Sequence, residues 1–357
     1  MNRHHYGFIL AGGRGTRFWP RSRIRSAKQV LNVLGRRTLI QSTVERLAPV
    51  IPPERIWVLT NHHLRDTIVS QLPEVPAAQI LAEPAQRNTA PAIGLGAHIL
   101  ESIDKDAVMG VFPADHVIAE AAGYRSAVRA ALKGAQAGKI MVVGIPPRWP
   151  ETGYGYIEFP KGTRRGLDPA PVKRFREKPA LALARRYVAA GNFYWNSGMF
   201  FWRASALLAE LRRHLPKTAA LLASLPGFRD PKFAGRLKRA FPLCENISVD
   251  YAVLEKAGGV AGLPAADFGW NDVGSWNAVY ELLPHDARGN AVPPQTLCLD
   301  AAGNLVDAGG KTVALLGVKD LIVVDTPDAL LVAGRDHAHL VGNVVKELEK
   351  LKRDHLL

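Results

Sequence analysis

Between Phe8 and Gln29 the chain reads FILAGGRGTRFWPRSRIRSAKQ: three glycines and six cationic side chains, with no carboxylate. Glycine tolerates positive φ and close backbone approach, so a strand emptying into Gly12, Gly13 and Gly15 can turn several amides toward phosphate oxygens. The chemistry this suits is capture of a small polyphosphate. The loop lacks the Gly-x-x-x-x-Gly-Lys-Ser/Thr spacing of a Walker A loop, and Phe18 stands where a dinucleotide fingerprint needs its third glycine. Taken alone, a glycine-rich turn fits a purely structural turn about as well. The cations that follow tip the balance toward an anion.

Asp115, in VMGVFPADHVI, falls just beyond the carboxyl end of an apolar run, where ligands gather in open α/β sheets. It is a candidate metal ligand, although a lone Asp there also serves as a turn residue. Glu177-Lys178-Pro179 pairs a carboxylate with an ammonium at a strand end, which taken alone reads as an exposed ion pair. His4-His5, His62-His63 and His285 lack partners at metal-ligand spacing and read as exposed or capping residues. No Ser-His-Asp or Cys-His arrangement is called for.

The chain has 357 residues, 47% of them hydrophobic, enough for one large domain and a smaller appendage. Its formal charge of +14 is local: the segment 1–44 holds nine Lys/Arg and no acid. That pattern, without a helix-turn-helix or RNA-binding aromatic motif, argues for a small polyphosphate over nucleic acid. Cys244 and Cys298 are far apart and suggest neither zinc nor a disulfide framework. The charged glycine loop begins within a dozen residues of the N-terminus and no apolar run reaches membrane-spanning length, so a soluble cytoplasmic protein with no membrane partner is expected.

The elements that must position these residues alternate. YGFIL, RIWVLT, QILAE, VMGVFP and KIMVVGI read as strands, separated by helical patterns such as APAIGLGAHILES and AAGYRSAVRAALKGAQAG. An α/β fold follows, with a mostly parallel sheet covered by helices on both faces. YGYIEF, VKRFREK and GMFFWRA predict antiparallel strands, taken as an insertion over the mouth of the sheet. From about Asn290 to His339, short β-like pieces at near-regular spacing predict a small all-β unit, a solenoid being one form compatible with that spacing. The tail predicts a docking helix with Val341, Val344, Val345, Leu348 and Leu351 on one face.

LAGGRGTRFWPRSRIRSAKQ resembles the signature of the sugar-nucleotide pyrophosphorylases, and Trp19-Pro20 with Lys28-Gln29 resembles the mannose-1-phosphate guanylyltransferase branch of that family. The resemblance implies a Rossmann-like, GT-A-like catalytic domain over residues 1–284 and a β unit, compatible with a left-handed β-helix, with its helix over 285–357. It implies a nucleotide site at Leu10, Ala11, Gly12, Gly13, Gly15, Thr16 and Arg17, with Arg17 and Lys28 gripping the triphosphate. EPAQRNTAPAIGLGA resembles the motif that reads base and ribose, adding Glu83, Arg87, Asn88 and Thr89. A guanine edge offers N1 and N2 donors, which a carboxylate such as Glu83 can accept. Asn88 and Thr89 equally suit a helix cap.

By the same resemblance Asp115 and Asp272, in FGWNDVGSW, bind Mg²⁺, a pairing that suits a cation preferring carboxylates, phosphate oxygens and water. Lys178 holds the sugar 1-phosphate, while Glu177, Asn196 and the Gly155 backbone bond sugar hydroxyls. The implied reaction joins GTP and mannose 1-phosphate into GDP-mannose and pyrophosphate, with Arg17, Lys28, Asp115, Lys178 and Asp272 as the catalytic set. Alternatives are glucose 1-phosphate with UTP or dTTP, or a non-catalytic sugar-nucleotide binder. A homodimer is expected. Ala27 departs from the family's usual proline, which predicts a more mobile loop. Because the chain stops at Leu357, no isomerase domain and a single activity are expected.

Overall fold

Strands buried on both faces read as continuous apolar runs, and Ile56–Leu59 is fully buried in that way. The computed structural model describes residues 2–357. In chain order the first elements are β1 (His5–Leu10), α1 (Leu39–Leu47), β2 (Ile56–Asn61), α2 (Arg65–Gln71) and β3 (Ile80–Glu83). They continue through α3 (Thr89–Ile103), β4 (Val108–Pro113), β5 (Val117–Ile118), α4 (Ala121–Gln136), β6 (Ile140–Ile145) and β7 (Tyr156–Glu158). Then come β8 (Ala170–Pro171), β9 (Arg174–Arg176), α5 (Leu181–Ala190), β10 (Phe193–Arg203), α6 (Ala204–His214), α7 (Pro216–Ala223), α8 (Phe233–Ala240), β11 (Val260–Pro264), β12 (Trp270–Asn271) and α9 (Trp276–Leu282).

The main sheet runs β3-β2-β1-β4-β10-β6-β11-β8, with β7 and β9 attached beyond β10. Strands β3, β2, β1 and β4 are parallel, as are β6 and β11. Strand β10 corrects the sequence expectation: it is no cover over the sheet but lies in its centre, antiparallel to both β4 and β6. Its residues are buried on both faces, which only an interior position satisfies. The reversal has a consequence for the site. Trp195 and Asn196 pair with Ile145 and Gly144, so the start of β10 reaches the edge where its parallel neighbours end.

The predicted helices at 89–103 and 121–136 form as expected, and two large apolar clusters pack on opposite faces of the sheet. The C-terminal part contains β13 (Leu297–Leu299), β14 (Leu305–Ala308), β15 (Ala314–Leu316), β16 (Leu321–Asp325), β17 (Leu330–Gly334) and α10 (Val341–Lys350). Parallel pairing of β13 with β15 and of β14 with β16 makes successive coils stack as a solenoid. A buried asparagine ladder joins the coils: Asn304 Nδ2 donates to Asn290 Oδ1 at 2.9 Å, and Leu321 N donates to Asn304 Oδ1 at 2.9 Å. Strand β17 closes the stack in antiparallel pairing with β16.

A third apolar cluster joins this coil to the first loop: Phe18, Trp19 and Trp276 pack with Leu305, Ile322, Val341, Val345 and Leu348. Trp276 Nε1 donates to Trp19 O at 3.1 Å, and Trp19 Nε1 donates to Leu356 O at 3.0 Å. Helix α10 docks with Val341, Val345 and Leu348 buried. Leu351 departs from that predicted face, being 63% exposed just past the helix end.

Candidate active site

The glycine loop leaves β1 at the carboxyl edge of the parallel strands, and its carbonyls are pinned from behind. Gln29 Nε2 donates to Ala11 O at 2.6 Å and to Gly13 O at 3.1 Å, while Thr60 Oγ1 donates to Ala11 O at 2.9 Å. Gly15 has a φ of 62°, and a Cβ there would sit 2.8 Å from the Lys28 backbone nitrogen. Glycine is therefore required on two independent grounds. Ala27, with φ −73° and ψ 162°, holds backbone angles that proline also adopts, and it is buried. The loop's shape survives the exchange because packing fixes it.

Three of the loop's arginines are committed elsewhere. Arg14 pairs with Glu349 at 2.8 Å, Arg21 with Asp307 at 3.0 Å and Arg23 with Asp328 at 2.9 Å, all carboxylates of the C-terminal part. The anion awaited by half of the loop's charge is thus within the chain itself. Arg17 is exposed and has neither an ion pair nor a hydrogen bond among the described residues. Thr16 faces α10, its Oγ1 lying 3.4 Å from where a Cβ on Gly342 would be.

A cavity of about 500 Å³ opens beside the glycine loop, lined by Leu10, Gly12, Gly13, Glu83, Asn88 and Thr89 among others. Glu83 ends β3, and burial pushes its carboxyl up to about 8. Asn88 caps α3 by accepting from Thr89 N at 2.8 Å and has a φ of 62°. Thr89 Oγ1 accepts from Val249 N at 2.9 Å, and Ala90 N donates to Ile247 O at 3.1 Å. These bonds hold the segment 246–250 against the cavity and bring Asn246 into its wall. Arg87 is not brought there: its guanidinium donates to Pro242 O, steadying the approach to that segment.

Lys28 is 5% exposed, and its ammonium contacts three oxygens: Asp115 Oδ2 at 2.8 Å, Asp272 O at 2.6 Å and Val273 O at 2.9 Å. An ammonium has three protons to donate. In this conformation Lys28 therefore ties the two aspartate loops together and has no donor left for a triphosphate. Burial opposes ionisation of Asp115, but the Lys28 charge and hydrogen bond more than offset it and hold the carboxyl below its usual range. Asp272 Oδ1 accepts from Tyr154 Oη, and Arg17 reaches the same place, its Nη1 3.4 Å from where a Cβ on Gly274 would be. Arg17, Tyr154, Asp272 and Gly274 line one depression of about 270 Å³. Burial drives the His116 imidazole down to about 4, and its Nδ1 accepts from Trp270 Nε1 at 3.1 Å.

The sugar-motif residues converge through pairing of β7 with both β9 and β10. Tyr156 lies opposite Trp195 on one side and Arg176 on the other, which brings Gly155, Glu177 and Asn196 together. Asn196 N donates to Gly155 O at 2.8 Å. A Cβ on Gly155 would collide with Glu177 Oε2 and approach Asn196 Cβ to 3.2 Å. Lys178 has a φ of 45°, and its ammonium is 3.2 Å from Glu177 Oε1. Lys178 N donates to Tyr154 O at 3.2 Å, so Tyr154 links the sugar motif to Asp272.

The site thus unites the glycine loop, Glu83, Asp115, Asp272 and the sugar motifs along one sheet edge. Sequence reasoning did not single out His116, Tyr154, Asn246 or Asp250, because their partners are distant. Asn196 Nδ2 donates to Asp250 Oδ1 at 3.1 Å across 54 positions. NISVDYAVLEK carries no local mark of this beyond two acids in a basic chain. His4 also has a partner that spacing concealed: Asp104, at 2.8 Å. With Asp106 these form a grouping at ligand distances, but it sits where β1 and β4 begin, at the opposite sheet edge. Asp115 and Asp272 offer hard oxygen donors beside the glycine loop, a set that fits a divalent cation such as Mg²⁺.

The nucleotidyl transferase family profile matches residues 6–289, and a MannoseP isomerase/GMP-like β-helix domain profile matches 295–348. The chain is 41% identical to the xanthan biosynthesis protein XanB of Xanthomonas campestris over 349 residues, covering 97% of this chain and 73% of that protein. It is 40% identical to mannose-1-phosphate guanylyltransferase of Escherichia coli K12, covering 98% and 74%. The crystal structure titled mannose-1-phosphate geranyltransferase from Thermus thermophilus superposes with a TM-score of 0.84 at 34% identity, covering 97% of this chain and 99% of the other. Fold, sheet-edge site and sequence agree, and the chain belongs to the nucleotidyl transferase family of enzymes.

Proposed function

We propose that the chain transfers GMP from GTP to mannose 1-phosphate, giving GDP-mannose and pyrophosphate. The observation that carries the reading is the adjacency of two sites on one sheet edge: the glycine-loop cavity with Glu83, and the Gly155–Glu177–Asn196 cluster, joined through Tyr154 and Asp272. The relatives named mannose-1-phosphate guanylyltransferase support the choice of substrates.

A phosphate oxygen of mannose 1-phosphate forms a bond to the α-phosphorus of GTP in line, while the bond from that phosphorus to the bridging oxygen breaks and pyrophosphate departs. Phosphate oxygens are already nucleophilic at neutral pH, so no base is required. The barrier lies in bringing two polyanions together and stabilising charge on the leaving group. Glycine-loop amides and the uncommitted Arg17 guanidinium supply donors for the triphosphate. Lys178 holds the hexose phosphate, and Glu177 and Asn196 bond its hydroxyls, which both donate and accept. Glu83 accepts from the guanine edge, and Lys28 sets the spacing of the two aspartates.

Asp115 and Asp272 would hold Mg²⁺, which when bound neutralises and orients phosphoryl oxygens. Residues 1–284 form the transferase domain and 285–357 the appended coil and helix, whose carboxylates and Trp19 contacts brace the phosphate loop. A second copy is the expected partner, with Leu297, Leu299 and Leu316 of the coil, 57%, 60% and 72% exposed, as its apolar surface. A cytoplasmic setting goes with the two free thiols, Cys244 and Cys298. Among the described residues no helix is long and apolar enough to cross a membrane.

The test is incubation with mannose 1-phosphate, GTP and Mg²⁺, with and without chelator, reading the product by mass, alongside glucose 1-phosphate with UTP or dTTP. GDP-mannose lost on chelation is expected. Preference for a pyrimidine nucleotide, or no transfer with any pair, overturns the reading.

A further inference from the structure

Segment 246–250 touches both halves of the site. Asn246 lines the nucleotide cavity, and four residues later Asp250 opens a π-helical turn, Asp250–Leu254, beside the sugar motif. π-helical turns are rare and are frequent at functional sites. Asp250 Oδ1 accepts from Asn196 Nδ2 at 3.1 Å, and Asn196 Oδ1 in turn accepts from Gly198 N at 3.1 Å. Asn196 is thereby oriented, with one amide N–H given to Asp250 and the other left for a ligand.

The neighbouring acid is left open. Glu177 Oε2 is buried and has no hydrogen-bond partner among the described residues. A buried acceptor without a donor is costly unless a ligand supplies one. Glycine at 155 preserves the space in front of that oxygen, since any side chain there would occupy it. Burial, and then the nearby Glu177 charge, raise the Asp250 carboxyl to about 6. When it holds that proton, Asp250 can donate as well as accept. Vicinal hydroxyls call for that combination, which carboxylates without a proton cannot offer.

We propose that Asp250 is a sugar-reading residue of this site, bonding ring hydroxyls of the hexose 1-phosphate together with Glu177 and Asn196 and thereby selecting among epimers. The inference rests on the hexose 1-phosphate reading above. The tether from Thr89 to Val249 also places this residue under the control of the helix that borders the nucleotide cavity, so one rigid segment aligns both substrates.

The experiment compares wild type with Asp250→Ala and Asp250→Asn, following pyrophosphate release with mannose 1-phosphate, its 2-, 3- and 4-deoxy analogues, and glucose 1-phosphate. Asp250→Ala should raise the KM for the sugar phosphate ten-fold or more while the KM for GTP stays within two-fold. At least one deoxy penalty present in wild type should vanish in Asp250→Ala, and Asp250→Asn should recover part of the loss. Should Asp250→Ala fail to fold, judged by thermal melting, the nearly isosteric Asp250→Asn carries the same comparison. Deoxy penalties identical in variant and wild type, or sugar and GTP KM rising together, overturn the proposal by reducing Asp250 to a structural role. If wild type ignores mannose 1-phosphate but accepts another hexose 1-phosphate, the substrate reading fails while the Asp250 comparison proceeds with the accepted sugar. Transfer to no hexose 1-phosphate overturns both.

Discussion

With Glu83 as the proposed acceptor of the guanine edge, nucleotide affinity should depend on pH. Burial raises its carboxyl to about 8, so near neutrality the free site holds mostly the protonated acid. A guanine edge presents two N–H donors, which need the carboxylate, so binding must expel the proton. Apparent affinity then scales with the ionised fraction, about one in ten at pH 7 and about one in a hundred at pH 6. The apparent Kd for GTP should therefore tighten about fifty-fold between pH 6 and pH 8 and level off above. Isothermal titration at excess Mg²⁺ measures this directly and also counts the proton released. Glu83→Gln removes the titrating group while the ionisations of GTP itself remain, so its profile is the reference to subtract. A wild-type profile running parallel to that of Glu83→Gln would refute the reasoning. The sign also extends to stability: the folded chain binds the proton more tightly than the unfolded chain, so this group costs stability as pH rises from about 4.5 to 8. Glu83→Gln should accordingly gain in melting temperature relative to wild type over that interval.

Asp115→Asn leaves the buried Lys28 ammonium without its carboxylate and weakens the expected metal site, so turnover should fall by about a hundred-fold or more, read as pyrophosphate release across a Mg²⁺ titration. Near-normal rates at saturating Mg²⁺ would remove the assignment. Gly15→Ala combines a left-handed backbone with a contact against Lys28 and should lose most activity; wild-type kinetics would show that the loop can rearrange freely. Ala27→Pro should be tolerated and stabilise by about 0.4–1 kcal/mol, because Ala27 already has proline-compatible angles. A drop in melting temperature would contradict that. Trp276→Ala should cost about 3–5 kcal/mol in chemical denaturation, since the ring is buried between the phosphate loop and the coil. A loss under 1 kcal/mol would mean that this junction contributes little.

Much was legible in the chain itself. The alternation of apolar runs with helical patterns specified an α/β sheet, because strand and helix periodicities are local properties. The glycine loop was equally plain, since Gly15 must adopt a backbone that few other residues can. What the residues of that loop do was not. Its arginines look alike in sequence, yet three meet Glu349, Asp307 and Asp328, each from hundreds of positions away, while Arg17 stays uncommitted.

The placement of β10 follows the same logic. GMFFWRA could be read as strand from its composition, but its position between β4 and β6 depends on which edges the rest of the fold leaves to be paired. Asp250, Asn246 and Tyr154 entered the site only with the fold, because an asparagine or aspartate gains a partner through chain crossings rather than through spacing. The sequence alone determined the elements and the glycine-loop turn, both governed by contacts within a few residues. Only the tertiary structure decided which charges are spent within the chain and which carboxyl keeps a proton, since burial and distant neighbours set those energies.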